Sequence, residues 1–281
     1  MSCRKVGRQT DFWRVIFTEI ALLYTRNEYK YLLIEKHNGI VILTLNRPNK
    51  LNAINIDMSY EIHSALDSIS SDKDCLVLII TGSGRGFCSG WDINEDNPSQ
   101  ENSESNNITN ISQHIIQIPQ PVIAAINGIA AGIGLSIAMS ADIRIAAENS
   151  QFSCIFVKRS LVPDGGATLL LQRLLGKGIA MEMSLTGNIY DSDWALHRGL
   201  VNRVTQNSLV LHSAVELGSI ITNNPPAAVR AIKRIMNKIE PLLSGVIESE
   251  NEANSFLVQT NDFQESILSF EEKRPPLYRD A

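Results

Sequence analysis

At 281 residues, 44% hydrophobic and 20% charged, the chain has ordinary globular proportions and enough material for one main domain with a helical appendage. A formal charge of −5 and a pI of 5.6 give nucleic acid and anionic membranes no electrostatic reason to bind. Cys3, Cys75, Cys88 and Cys154 lack CxxC or zinc-type spacing, and three of them lie in or beside apolar stretches, so reduced packing thiols in a cytoplasmic protein are expected.

The first 28 residues carry five Lys/Arg against three Asp/Glu around "FWRVIFTEIALLY". Arg14 and Glu19 interrupt that run before it could span a bilayer, no small-residue cleavage site follows, and its acids fit poorly with an organellar transit peptide. An extension upstream of the domain is expected. "YKYLLIEKHNGIVILTLNRP" then gives two β-rich runs around Asn38-Gly39, a strong hairpin signal. After "RPNKLNAI", Asp57 is expected to cap a helix with Met58, Ile62, Ala65, Leu66 and Ile69 on one face, leaving His63 as a surface histidine. "CLVLIIT" (75–81) is continuous enough for a strand buried on both faces.

Residues 92–107 hold five acids, no Lys or Arg and almost nothing apolar, so a mobile loop is expected there, either plainly solvated or a lid beside a site. "PVIAAINGIA" and "AGIGLSIAMSADIRIAA" read as a strand, a turn, a small-residue helix and another strand. Strands alternating with helices predict an α/β arrangement with parallel pairing, and beyond residue 207 the pattern is almost entirely helical.

Two glycine-rich turns follow apolar strands, "GSGRGFCSGWD" and "NGIAAGIGLS". Their spacing is neither a dinucleotide fingerprint nor a P-loop, and Ser89 is not at the centre of GxSxG. His37, His63, His114, His197 and His212 offer no paired metal-ligand spacing, so no metal is expected. Glycine turns of this kind either pack strands or present main-chain N–H groups to one oxygen as an oxyanion hole. A second candidate is Asp164 in "LVPDGG". Read alone, an Asp before Gly-Gly-Ala-Thr suits a turn or a helix N-cap.

"RPNKLNAI", "GRGFCSGWDI", "PVIAAINGIAAGIGLSIAMSADIRIAA", "FVKRSLVPDGGATLLLQRLLG" and "AMEMSLTGNIYDSDWALHRGLVNRV" resemble, in order and spacing, the crotonase superfamily of enoyl-CoA hydratases and isomerases. The resemblance covers about residues 29–275. It implies an α/β fold, a spiral of ββα turns over 29–206, then a helical region over 207–281 that mediates trimers or dimers of trimers. It also implies an acyl-CoA substrate and no cofactor apart from the coenzyme A of that substrate.

Carried over residue by residue, the resemblance makes the N–H groups of Ser89 and Ile133 the oxyanion hole. Asp92 then shapes the turn "SGWD" around Gly90 and Trp91. Lys50, Asn52 and Ala53 lie along the pantetheine and adenine, and Phe270 and Lys273 in "SFEEKRPP" reach the nucleotide, sometimes from a neighbouring subunit. The two glutamates of the hydratases fall at Ser136 and Phe156, neither of which is a carboxylate base. What remains is Asp164, in a segment most like the isomerase subgroup that includes the ring-epoxide isomerase of phenylacetate degradation. The expectation is an acyl-CoA isomerase with Asp164 as proton shuttle. The alternatives are an enoyl-CoA hydratase and a catalytically silent CoA-binding or assembly protein.

Overall fold

The computed structural model describes residues 29–93, 108–238 and 240–278. The expectations for residues 1–28, and for nearly all of the acidic segment 92–107, lie outside the described residues. β1 (Leu32–His37) and β2 (Ile40–Leu45) form the hairpin, with Asn38 and Gly39 both at positive φ as its two-residue turn requires. The first helix, α1 (Ile56–Ser71), is capped by Asn55, whose Oδ1 accepts the Met58 N–H at 3.0 Å. This corrects the expectation for Asp57, which lies inside the first turn; the preceding asparagine has the extended backbone that a cap needs.

Three successive segments then repeat one plan. β3 (Val77–Gly82) and β4 (Gly86–Cys88) precede α2 (Ile111–Gln117). β5 (Val122–Ile126) and β6 (Ile129–Ala131) precede α3 (Ile133–Ser140). β7 (Ile143–Ala147) and β8 (Gln151–Ser153) precede α4 (Ala167–Leu175). The first strand of each pair joins a six-stranded sheet, β1-β2-β3-β5-β7-β10, where β10 is Arg203–Thr205. The second joins a four-stranded sheet, β4-β6-β8-β9, where β9 is Ile189–Asp191. Pairing is parallel except at β1–β2 and β8–β9. The ββα spiral follows from this alternation between sheets.

Period-two alternation serves both faces of the large sheet. Leu78 and Ile80 of β3 enter the main core, while Val77 and Ile79 enter a second cluster against Val210 and Ala214. These last two belong to α7 (Val210–Thr222), which follows α5 (Lys177–Thr186) and α6 (Ser192–Arg198). After α8 (Pro226–Met236) come α9 (Glu240–Leu257) and α10 (Asn261–Glu271). Leu243 and Ile247 of α9 join the same core as β3. Lys233 of α8 is buried against Asp142 at 2.9 Å, locking that helix to the sheet. No described helix is long and apolar enough to cross a membrane.

Cys75, Cys88 and Cys154 are free, buried thiols, each pushed up to about 12 chiefly by burial. His63 departs from expectation. Its Nδ1 lies 2.8 Å from Nδ1 of His114 on α2, one ring donating and the other accepting, so it closes a contact between helices rather than facing solvent. Burial, and then the proximity of His63, hold His114 below its usual value.

Candidate active site

The site begins where β4 and α3 meet main chain to main chain. Gly134 lies so close to the Cys88 carbonyl oxygen that any Cβ would collide with it. Gly132, at φ +53° and ψ −132°, turns the chain into α3. The first N–H groups of a helix have no intrahelical partner. That of Ile133 has no acceptor among the described residues.

Residues 89–92 run beside Ile54. The Ile54 N–H donates to the Gly90 carbonyl at 2.8 Å, and the Asp92 N–H donates to the Ile54 carbonyl at 2.9 Å. Successive peptides along an extended strand face opposite ways, so the amide of Trp91 turns away from Ile54. It has no acceptor among the described residues. Ser89 differs, because its N–H already donates to the Leu51 carbonyl at 3.0 Å and its hydroxyl to the Lys50 carbonyl at 3.2 Å. The expectation that the Ser89 amide is an oxyanion donor is therefore corrected: the open amide in this turn is that of Trp91, two residues on. Asp92 is 3% exposed and accepts from Arg47 Nη2 at 2.9 Å, with Lys50 Nζ at 3.8 Å. Arg47 also donates to the Ala53 carbonyl, so this ion pair ties the turn to the segment before α1.

Gly132 and Ile133, residues 89–93, Lys50 and Ala53 line a cavity of about 290 Å³. Ile155, Phe156, Leu161, Phe263 and Ile267 give it apolar walls, and Asp164 reaches it from the turn before α4. Asp164 is 6% exposed, and its Oδ1 is buried with no hydrogen-bond partner among the described residues. Burial pushes its carboxyl up to about 8, with the negative charge of Glu250 adding to the effect. The main chain of Asp164 is held twice: its carbonyl accepts the Ala167 N–H at 3.1 Å and the Ser136 hydroxyl at 2.8 Å.

Of the other residues singled out in the sequence, Phe270 lies at the rim under the Arg159 guanidinium, 4.0 Å from its ring centroid. Asn52 is a correction. It is fully buried and does not line the cavity: its Oδ1 accepts the Arg47 N–H and its Nδ2 donates to the Ser83 and Gly86 carbonyls, which fixes the turn from inside. Lys273 lines a neighbouring cleft with Lys158 and Tyr278 rather than the cavity of Asp164. Glu250 of α9 was not singled out in the sequence. It accepts the Gly166 N–H at 2.7 Å, the Thr168 N–H at 3.0 Å and the Thr168 hydroxyl, capping α4 where Gly166 has no side chain to do so. Among the described residues no group of three or more His, Cys, Asp or Glu could hold a metal ion.

Two main-chain amides without acceptors beside one buried acid suit an enzyme that stabilises negative charge on a carbonyl oxygen. The comparisons agree. The chain belongs to the enoyl-CoA hydratase/isomerase family, whose pattern it matches over residues 35–281, and the alternating sheets are the crotonase fold. It is 31% identical to a 1,2-epoxyphenylacetyl-CoA isomerase of Escherichia coli, over 89% of this chain and 98% of that one. It is 34% identical to a short-chain-enoyl-CoA hydratase of Clostridium acetobutylicum, over 88% and 97% of the two chains. The crystal structure of an enoyl-CoA hydratase from Mycobacterium avium subsp. paratuberculosis superposes with a TM-score of 0.82 at 30% identity, covering 89% of this chain and 99% of that one.

Proposed function

We propose that this member of the family is an acyl-CoA thioester isomerase that moves a carbon–carbon double bond into conjugation. The observation that carries the reading is the state of the two carboxyl groups lining the cavity. Asp92 is paired with Arg47, whereas Asp164 is buried with one oxygen that has no hydrogen-bond partner among the described residues. The hydratase reading needs a second carboxylate to handle water. Here Ser136 and Phe156 occupy the two positions in question, the former engaged with the Asp164 carbonyl and the latter adding an apolar wall.

In the proposed reaction the thioester oxygen of a 3-enoyl-CoA sits between the N–H groups of Trp91 and Ile133. Ionised Asp164 takes a proton from the α carbon, and the electron pair of that C–H bond passes into a dienolate whose oxygen charge the two donors meet. Asp164 then returns the proton to the γ carbon, leaving the double bond between the α and β carbons. Removal of one such donor typically costs about 3 to 4 kcal/mol of transition-state stabilisation. Positioned proton transfer adds about two to four orders of magnitude. Lys50 and Ala53 at one wall, with Arg159 and Phe270 at the rim, are the groups proposed to meet the CoA arm.

The test is purified protein with a 3-enoyl-CoA, followed by the absorbance of the conjugated 2-enoyl thioester as it forms. Loss of that chromophore from added 2-enoyl-CoA, without isomerisation, would favour a hydratase. CoA binding without turnover of either substrate would favour the silent reading. We propose further that copies associate as trimers, since Ile232, Ile235 and Met236 of α8 are exposed apolar side chains on one helix. Sedimentation equilibrium checks this, and a monomer at micromolar concentration would refute it.

A further inference from the structure

Two carboxyl groups serve the turn before α4, Asp164 within it and Glu250 bonded to its Gly166 N–H, and their surroundings are very unequal. Glu250 is buried and receives three donors, the Gly166 N–H, the Thr168 N–H and the Thr168 hydroxyl. Asp164, two residues before Gly166, has a buried Oδ1 with none among the described residues. A carboxylate is favoured by donors and disfavoured by an apolar site, so where two acids lie close together the one lacking donors keeps the proton. We infer that Glu250 is a positioning residue for Asp164: its three donors make it the ionised member of the pair, it holds the turn through two amides, and its charge adds to the apolar surroundings that keep the proton on Asp164.

The other titratable and charged groups facing this turn do not reverse the assignment. Cys154, below it, stays a neutral thiol, pushed up to about 12. Ser136 of α3 gives its hydroxyl to the Asp164 carbonyl and not to the carboxyl. In the same cavity Lys50 faces Asp92, and Arg159 stacks on Phe270. Burial and then Glu250 push the Asp164 carboxyl up to about 8; burial also raises Glu250, and the donors from Thr168 and Gly166 oppose that rise.

The functional consequence rests on the isomerase reading. A shuttle must take a proton from one carbon and give it to another, and an acid titrating near the working pH does both better than an ordinary carboxylate. Glu250 is not among the residues lining the cavity, so it acts through Asp164.

The experiment reads Asp164 directly. Protein labelled with carboxyl-13C aspartate is titrated by NMR without substrate, with Asp164→Asn identifying the signal. The wild type should show one aspartate titrating well above the ordinary range. In Glu250→Gln that midpoint should fall by about one pH unit or more. The rising limb of kcat should move to lower pH by the same amount, with a lower plateau and little change in KM. Because the glutamine could loosen the turn, Thr168→Val is the control: it removes one donor but keeps the charge, and its midpoint should stay close to the wild type. An Asp164 midpoint in the ordinary carboxylate range, no shift in Glu250→Gln, or an equal shift in Thr168→Val would each overturn the inference. Since the titration needs no substrate, failure of the isomerase reading would leave it standing.

Discussion

The hydroxyl of Ser136 donates to the main-chain carbonyl of Asp164 across 2.8 Å, joining the first turn of α3 to the turn before α4. One helix thus presents the Ile133 amide at its start and, three residues on, a hydroxyl that holds the acid's backbone. Donor and acid are set relative to each other by a single rigid element.

Asp164→Asn should lower kcat for 3-enoyl-CoA by about two to four orders of magnitude. The amide is isosteric and enters a site that already favours a neutral group, so the thermal midpoint should stay within a few degrees of the wild type. Near-normal turnover in this variant would remove Asp164 from the mechanism.

Stability should fall as pH rises across the range between the ordinary aspartate value of 3.8 and about 8. The folded chain holds a proton on Asp164 there that the unfolded chain has released, so the stabilisation is full below the lower value and is lost progressively toward the upper one. Urea unfolding at pH 5 and pH 8 should show a larger loss in the wild type than in Asp164→Asn. Equal slopes would mean that Asp164 is not held neutral.

Replacing Trp91 with its α-hydroxy acid exchanges one main-chain N–H for an ester oxygen. At this position the change should cost about 3 kcal/mol in kcat, or roughly a hundredfold, because the amide has no structural acceptor. The same exchange at Ser89 breaks a bond to Leu51 and should appear mainly in the unfolding free energy. A result the other way round would return the donor role to Ser89.

Arg47→Ala should destabilise the fold by about 3 to 5 kcal/mol in urea, because it takes from the buried Asp92 the guanidinium that pairs with it at 2.9 Å. Activity should fall too, since that ion pair holds the turn carrying Trp91. A variant as stable as the wild type would show that solvent reaches Asp92.

The sequence made most of the large sheet readable because its strands, the three-residue β10 apart, are five or six residues long and show a pattern. Ile40–Leu45 and Val77–Gly82 are almost wholly buried, and Asn38-Gly39 has one natural use. The second sheet was not readable, since β4, β6, β8 and β9 are three residues each, too short for any periodicity. Asp164 and the glycine turns were found through residue identity. The amide of Trp91 was not, because every non-proline residue has the same N–H and only the bridge to Ile54 decides which way it points. Asn55 and Asp57 are both competent caps two positions apart, and the backbone angle chose between them. His63 with His114, and Glu250 with Gly166, are contacts across 51 and 84 positions that no local pattern records.

That last separation bears on how the protein is made. As the chain leaves the ribosome, Gly166 and Thr168 emerge long before Glu250, and their amides have no carboxylate to meet until α9 docks. A nascent chain halted ahead of residue 250 would hold all three ββα turns and yet an unfinished acid. The charge of Glu250 can therefore act on Asp164 only once the chain has been made through α9.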